Sequence, residues 1–100
     1  MHIQDTRAVI TGGVSGLGLA VAQRLVAGGA KVALLDINDD KGAAAVAELG
    51  AASARYFRTD VTDEANVAAT VAAAKDFLGG LNAAINCAGI LGAGRVLGKE

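Results

Sequence analysis

Three features of the 100-residue chain predict an α/β fold built on a doubly wound parallel sheet. Apolar runs alternate with amphipathic, alanine-rich stretches; two of the runs, Val32-Ala33-Leu34-Leu35 and Ala83-Ala84-Ile85, are apolar on consecutive residues; and glycines punctuate the joints. A strand without polar alternation has both faces covered. Helical crossovers between such strands are right-handed and leave the strands parallel.

Arg7 to Thr11 reads as the first strand and Gly16 to Ala27 as the first helix, closed by Gly28-Gly29. Lys31 to Asp36 follows as the second strand, which completes a β-α-β unit. A second helix is expected from Asp39, a good N-cap, through the alanines to Leu49, ending at Gly50. The third strand is expected over Ala54 to Thr59. Thr62 then caps a third helix, with Asp63 and Glu64 in its first turn, where the dipole favours carboxylates, and Gly79-Gly80 ends it. Leu81 to Asn86 is the fourth strand. The alanines of the helices are read as packing and propensity, with no function attached. This is half of a doubly wound Rossmann arrangement, and residues 1–100 read as the N-terminal part of one such domain.

With 53% hydrophobic residues the chain has material for one core. The net charge is -1 and the basic residues are scattered, which argues against a nucleic-acid partner or an anionic membrane surface. The start lacks the basic and long apolar regions of a secretory signal, and no apolar run approaches membrane-spanning length. The expected compartment is therefore cytoplasmic. The single cysteine, Cys87, excludes an internal disulfide, and with His2 as the only histidine a histidine-based metal site or Ser-His pair has almost nothing to draw on.

Residues 11–18, T-G-G-V-S-G-L-G, lie between the first strand and the first helix. Without side chains at Gly12, Gly16 and Gly18 the backbone can turn sharply and let a pyrophosphate approach the unpaired N–H groups of the first helical turn. On this reading Gly16 and Gly18 exclude side chains for ligand contact more than for folding. The spacing is T-G-x-x-x-G-x-G; it does not fit G-x-G-x-x-G, because the next required position is Val21. A P-loop is excluded, since no Lys-Ser or Lys-Thr follows.

In an open parallel sheet a ligand sits beyond the carboxyl ends of the strands. The second strand ends in Asp36, about twenty residues past the loop, where a carboxylate can accept hydrogen bonds from the adenosine ribose hydroxyls. With no arginine in the loop or at position 37, that carboxylate would repel a 2'-phosphate, so NAD is expected over NADP. The third strand ends in Asp60-Val61 and the fourth in Asn86-Cys87-Ala88-Gly89.

These four motifs, in this order, resemble the short-chain dehydrogenase/reductase family over essentially the whole chain. Within it the residues 8–20, 34–36, 60–62 and 86–90 are most similar to the type 2 3-hydroxyacyl-CoA dehydrogenases. The resemblance implies an NAD site made by Gly12, Ser15, Gly16, Leu17, Gly18, Asp36, Asp60, Val61, Asn86, Cys87 and Gly89. In it Asp60 accepts from the adenine amine, Val61 bounds the ring, and the Asn86 segment ties the sheet together and lines the cofactor ribose. Cys87 stands where the family has a second asparagine, so only its backbone groups carry over. The resemblance further implies a small-molecule substrate, an acyl-CoA or another secondary alcohol or ketone, and a homo-oligomer, tetramer or dimer.

Family catalysis needs a tyrosine with a lysine four residues on, and a serine. The only tyrosine is Tyr56, and Asp60 stands four residues after it, so no catalytic residue can be named within the chain. The chain is therefore expected to be part of a longer oxidoreductase. The alternative is a non-catalytic nucleotide-binding half-domain. A methyltransferase also meets an acid after its second strand but lacks this loop spacing.

Overall fold

The computed structural model describes residues 2–14 and 16–87. In chain order it contains β1 (Arg7–Thr11), α1 (Gly16–Ala27), β2 (Lys31–Asp36), α2 (Asp39–Leu49), β3 (Ala54–Arg58), α3 (Glu64–Leu78) and β4 (Ala83–Asn86). A short 3-10 turn, Ile3–Asp5, precedes β1. The strands form one parallel sheet in the order β3-β2-β1-β4, the α/β arrangement that the apolar runs predict.

Register sorts the side chains onto two faces. Ile10 of β1 lies between Leu34 of β2 and Ile85 of β4, and Val9 between Ala33 and Ala84. On one face Ala8, Ile10, Val32, Leu34 and Ala54 pack with Ala22 of α1 and Ala45 of α2. On the other, Val9, Ala33 and Leu35 pack with Ala74 and Leu78 of α3. Ala22 and Ala74 are fully buried, because a side chain of one methyl lets a helix approach the sheet closely. With α1 and α2 on one face and α3 on the other, the sheet is doubly wound. The order then reverses between β1 and β4, which makes their carboxyl ends the switch point where ligands bind in such sheets.

Four boundaries differ from the sequence reading, each for a local reason. The N-cap of α2 is Asn38, whose Oδ1 accepts the Lys41 N–H at 3.0 Å, and Asp39 is the first helical residue. Asp63, not Thr62, caps α3 by accepting the Asn66 N–H, because Thr62 donates both its groups to Asp60. The third strand ends at Arg58. The fourth starts at Ala83: just before it the Asn82 side chain accepts the Arg7 N–H and donates to the Asp5 carbonyl, both at 2.8 Å. Ala83 and Ile85 join the core beneath α1 and α2, while Ala84 is exposed on the face where α3 covers the other three strands.

Candidate functional site

The first turn after β1 is shaped by the positive φ angles of Gly12 (69°) and Gly16 (54°), a region that costs other residues about 1–2 kcal/mol. Gly12 remains tied to the sheet through its N–H, which donates to the Leu35 carbonyl at 2.8 Å. A Cβ at Gly16 would meet nothing within 4 Å, so this glycine leaves open space in front of the helix start. Gly18 is different. It is buried, and a Cβ there would stand 1.9 Å from the Gly12 carbonyl oxygen. The expectation that Gly18 excludes a side chain mainly for ligand contact is thereby corrected: the chain's own backbone fills the space.

Beyond the ends of β1, β2 and β3 lies a cleft of about 270 Å³ lined by Gly12, Leu35, Asp36, Ile37, Thr59, Asp60 and Val61. It brings together four residues that the sequence reading selects from three separate segments: Gly12, Asp36, Asp60 and Val61. The Asp36 carboxylate spans the cleft wall, Oδ1 accepting the Ile37 N–H at 2.7 Å and Oδ2 lying 3.4 Å from the Val14 nitrogen of the glycine turn. The Asp36 carbonyl accepts the N–H of Thr59, which is itself buried and donates its hydroxyl to the Phe57 carbonyl.

Asp60 is turned by its own loop. Its Oδ1 accepts the Thr62 hydroxyl at 2.6 Å and the Thr62 N–H at 2.9 Å, and these bonds hold its carboxyl below the ordinary aspartate range. Its Oδ2 has no donor among the described residues. The Asp60 N–H donates to the Asn66 side chain of α3 at 2.6 Å, so the adjoining loop is anchored to the helix that follows.

The other predicted residues are placed elsewhere. Leu17 is exposed at the start of α1. Gly16 borders a second groove, of about 340 Å³, with Val14, Leu19, Lys41, Ala44, Ala45 and Glu48. Asn86 and Cys87 lie on the far side of β1, at the end of β4. The Thr11 hydroxyl donates to Asn86 Oδ1 at 2.7 Å, a link between β1 and β4 at the switch point. The Cys87 N–H donates to the Thr11 carbonyl, and its side chain packs against the core, so sheet pairing already uses the backbone donor. Ser15 and Gly89 lie outside the described residues.

Sequence reasoning omitted Thr11, Thr59 and Ile37 from the site. Each adjoins a selected residue in the chain, and the rule that strand ends face the ligand would have found them. Among the described residues the exposed large apolar side chains are Ile3, Leu17, Ile37 and Val61. Three of these four surround the glycine turn and the cleft. Exposed apolar groups cost little singly, but around a cleft that also carries the carboxylates of Asp36 and Asp60 they form walls for a planar or aliphatic ligand.

The fold and its strand ends are those of a Rossmann-type α/β protein. A profile described as short chain dehydrogenase matches residues 6–98, and the chain belongs to that family. It is 48% identical over 83 residues to human (Homo sapiens) 3-hydroxyacyl-CoA dehydrogenase type-2, an alignment covering 83% of this chain and 31% of that protein. It is 47% identical over 91 residues to a 2,5-dichloro-2,5-cyclohexadiene-1,4-diol dehydrogenase of Sphingobium indicum, covering 91% of this chain and 36% of the relative. Among solved structures, a short-chain type dehydrogenase/reductase from Mycobacterium ulcerans superposes with a TM-score of 0.80 at 41% identity, covering 87% of this chain and 34% of that one. The chain thus spans about a third of the length of the relatives it matches. No described helix is long and apolar enough to cross a membrane.

Proposed function

We propose that this chain forms the adenosine half of a nicotinamide-dinucleotide site, as the N-terminal part of a single NAD-binding domain. The whole protein would be an oxidoreductase that moves hydride between NAD and a secondary alcohol. The observation that carries this reading is the Asp36 carboxylate on the wall of a cleft bounded by exposed Ile37 and Val61, next to a glycine turn with open space before Gly16. A ribose diol needs a carboxylate acceptor, an adenine ring needs apolar walls, and a pyrophosphate needs a helix start it can approach closely.

In this reading the N–H groups at the start of α1, from Gly16 through Gly18, with Ser15 beside them, receive the pyrophosphate, and Leu17 shields it. Asp36 accepts from both ribose hydroxyls, and Asp60 offers Oδ2 to the adenine amine while Val61 bounds the ring. Asn86, Cys87 and Gly89 line the second ribose. The nicotinamide, once bound, supplies the hydride acceptor or donor. Tyr56 takes no part in proton transfer: it lies in β3 facing α2, behind the cleft.

The substrate we propose is a 3-hydroxyacyl-CoA, on the 48% identity to a dehydrogenase named for that class. A similar identity, 46%, to a 3-beta-hydroxysteroid dehydrogenase of Comamonas testosteroni supports the broader class of secondary alcohol. A cytoplasmic homo-oligomer completes the proposal, by likeness to the family. The test is cofactor affinity in the intact protein. NAD should bind more tightly than NADP, and Asp36→Ala should narrow the ratio about ten-fold, roughly 1.4 kcal/mol. Equal affinity of the unaltered protein for the two cofactors would overturn the assignment.

A further inference from the structure

We infer that Tyr56 is a positioning residue for the cofactor cleft: its hydroxyl, joined to Asp39 and Arg58, holds the main chain at Asp36 and Ile37 so that the Asp36 carboxylate stays on the cleft wall. The inference rests on the assignment of Asp36 to the ribose hydroxyls.

Tyr56 and Arg58 alternate along β3 and so project from the same face of the sheet, toward the turn that joins β2 to α2. The Tyr56 hydroxyl is 3.0 Å from the Asp36 carbonyl oxygen and 2.9 Å from Asp39 Oδ1, and its one proton is shared between the two acceptors. Arg58 Nη1 donates to the Ile37 carbonyl at 3.3 Å and to Asp39 Oδ2 at 3.0 Å. Two consecutive carbonyls of the turn are therefore gripped from behind, and Asp39 ties the two grips together. The carboxylate of Asp36 and the side chain of Ile37 line the cleft on the front of the same turn.

The sheet does not need the phenol. The Asp36 carbonyl already accepts the Thr59 N–H at 2.8 Å, so Tyr56 occupies its second lone pair. Phenylalanine would fill the same apolar space. Even so, the neighbouring helix makes room for this ring: at Gly42 of α2 a Cβ would stand 2.5 Å from Tyr56 ring atoms. A glycine inside a helix costs about 1 kcal/mol relative to alanine, so α2 gives up propensity to seat the ring. Partial burial, then the Asp39 hydrogen bond, push the phenol up to about 12, which keeps it a donor throughout the physiological range. The Arg58–Asp39 pair is about 60% exposed on each side (62% and 61%) and contributes little alone. The hydroxyl is therefore the part to remove.

Dissociation constants for NAD and NADP, with melting temperatures, would be measured on the intact protein and on Tyr56→Phe, Asp36→Ala and the double variant. Tyr56→Phe should lower the NAD preference about five-fold, the effect of one lost hydrogen bond. In the Asp36→Ala background it should change the preference by less than about two-fold, because the group being positioned is gone. Asp39→Asn, which keeps the shape and weakens the acceptor, should shift the preference in the same direction and carries the test if Tyr56→Phe does not fold. A fall in melting temperature with both affinities reduced equally would overturn the inference, since a merely structural role predicts that result. If Asp36→Ala changes the preference and Tyr56→Phe does not, the inference fails while the ribose assignment stands. A preference untouched by Asp36→Ala removes both.

Discussion

Alanine at Gly18 separates the two tasks that glycine performs in the turn after β1. Gly18 lies inside α1, where alanine normally stabilises by about 1 kcal/mol over glycine. Here the added Cβ would lie 1.9 Å from the Gly12 oxygen and 2.7 Å from its carbonyl carbon. Either the helix start or the turn must shift by more than about 1 Å, and overpacking of this kind costs roughly 1–3 kcal/mol. The turn cannot retreat freely, because the Gly12 N–H is bonded to the Leu35 carbonyl in β2, and losing that bond adds about 1 kcal/mol. Set against the helix gain, the net expectation is a loss of about 2 kcal/mol. For a single domain of about 250 residues, the length of the relatives, that lowers the melting temperature by about 6 °C in the absence of any ligand. Thermal unfolding followed by circular dichroism measures it. Gly16→Ala is the control: its Cβ enters open space, so the cost is the backbone term for φ of 54°, about 1 kcal/mol, and the larger effect should fall on NAD affinity. A Gly18→Ala protein as stable as the unaltered one would refute the reasoning, because the clash could not then exist.

Thr62→Val should raise the Asp60 pKa toward its ordinary value, as read by NMR titration of the carboxylate, because the hydroxyl hydrogen bond is the main cause of the depression; an unchanged titration would count against that cause. Since the folded value lies below the unfolded one, the Thr62 bonds stabilise the fold above the ordinary aspartate range, and that contribution is lost as pH falls through the depressed value. Gly42→Ala should destabilise by about 1 kcal/mol although alanine is the better helix former, because its Cβ overpacks the Tyr56 ring. A Gly42→Ala protein with a higher melting temperature would contradict the packing of the ring against this helix.

The sheet was legible because its signal is compositional. Val32-Ala33-Leu34-Leu35 has no polar residue to place in water, and the structure buries all four. The helix starts were legible only to within a residue, since Asn38-Asp39-Asp40 and Thr62-Asp63 each offer adjacent side chains able to cap. Which one caps depends on what else competes for it. Thr62 is drawn back to Asp60 and Asp39 is taken by Tyr56 and Arg58, so the neighbours Asp63 and Asn38 are left to cap. The side of β4 that α3 leaves uncovered was not legible for a related reason: an apolar residue shows that burial is tolerated, and says nothing of which element supplies the cover.

At the candidate site the same distinction separates Asp36 from Tyr56. Asp36 was found from one dimension, its distance along the chain from a glycine turn, because a strand-turn-helix-strand unit has nearly fixed length and returns the chain to the same edge. Tyr56 touches the site through a contact between β3 and the turn after β2, and no spacing rule encodes that contact. A place within β3 is reason to expect packing, and its ring does pack, against Gly42. The hydroxyl is what packing leaves unexplained. A partly buried phenol needs an acceptor, and the two it meets are the carbonyl of Asp36 and the carboxylate of Asp39. The Tyr56 hydroxyl thus points to the turn that carries the proposed cofactor acid, but only the register of β2 against β3, Leu34 opposite Tyr56 and Asp36 opposite Arg58, supplies the direction.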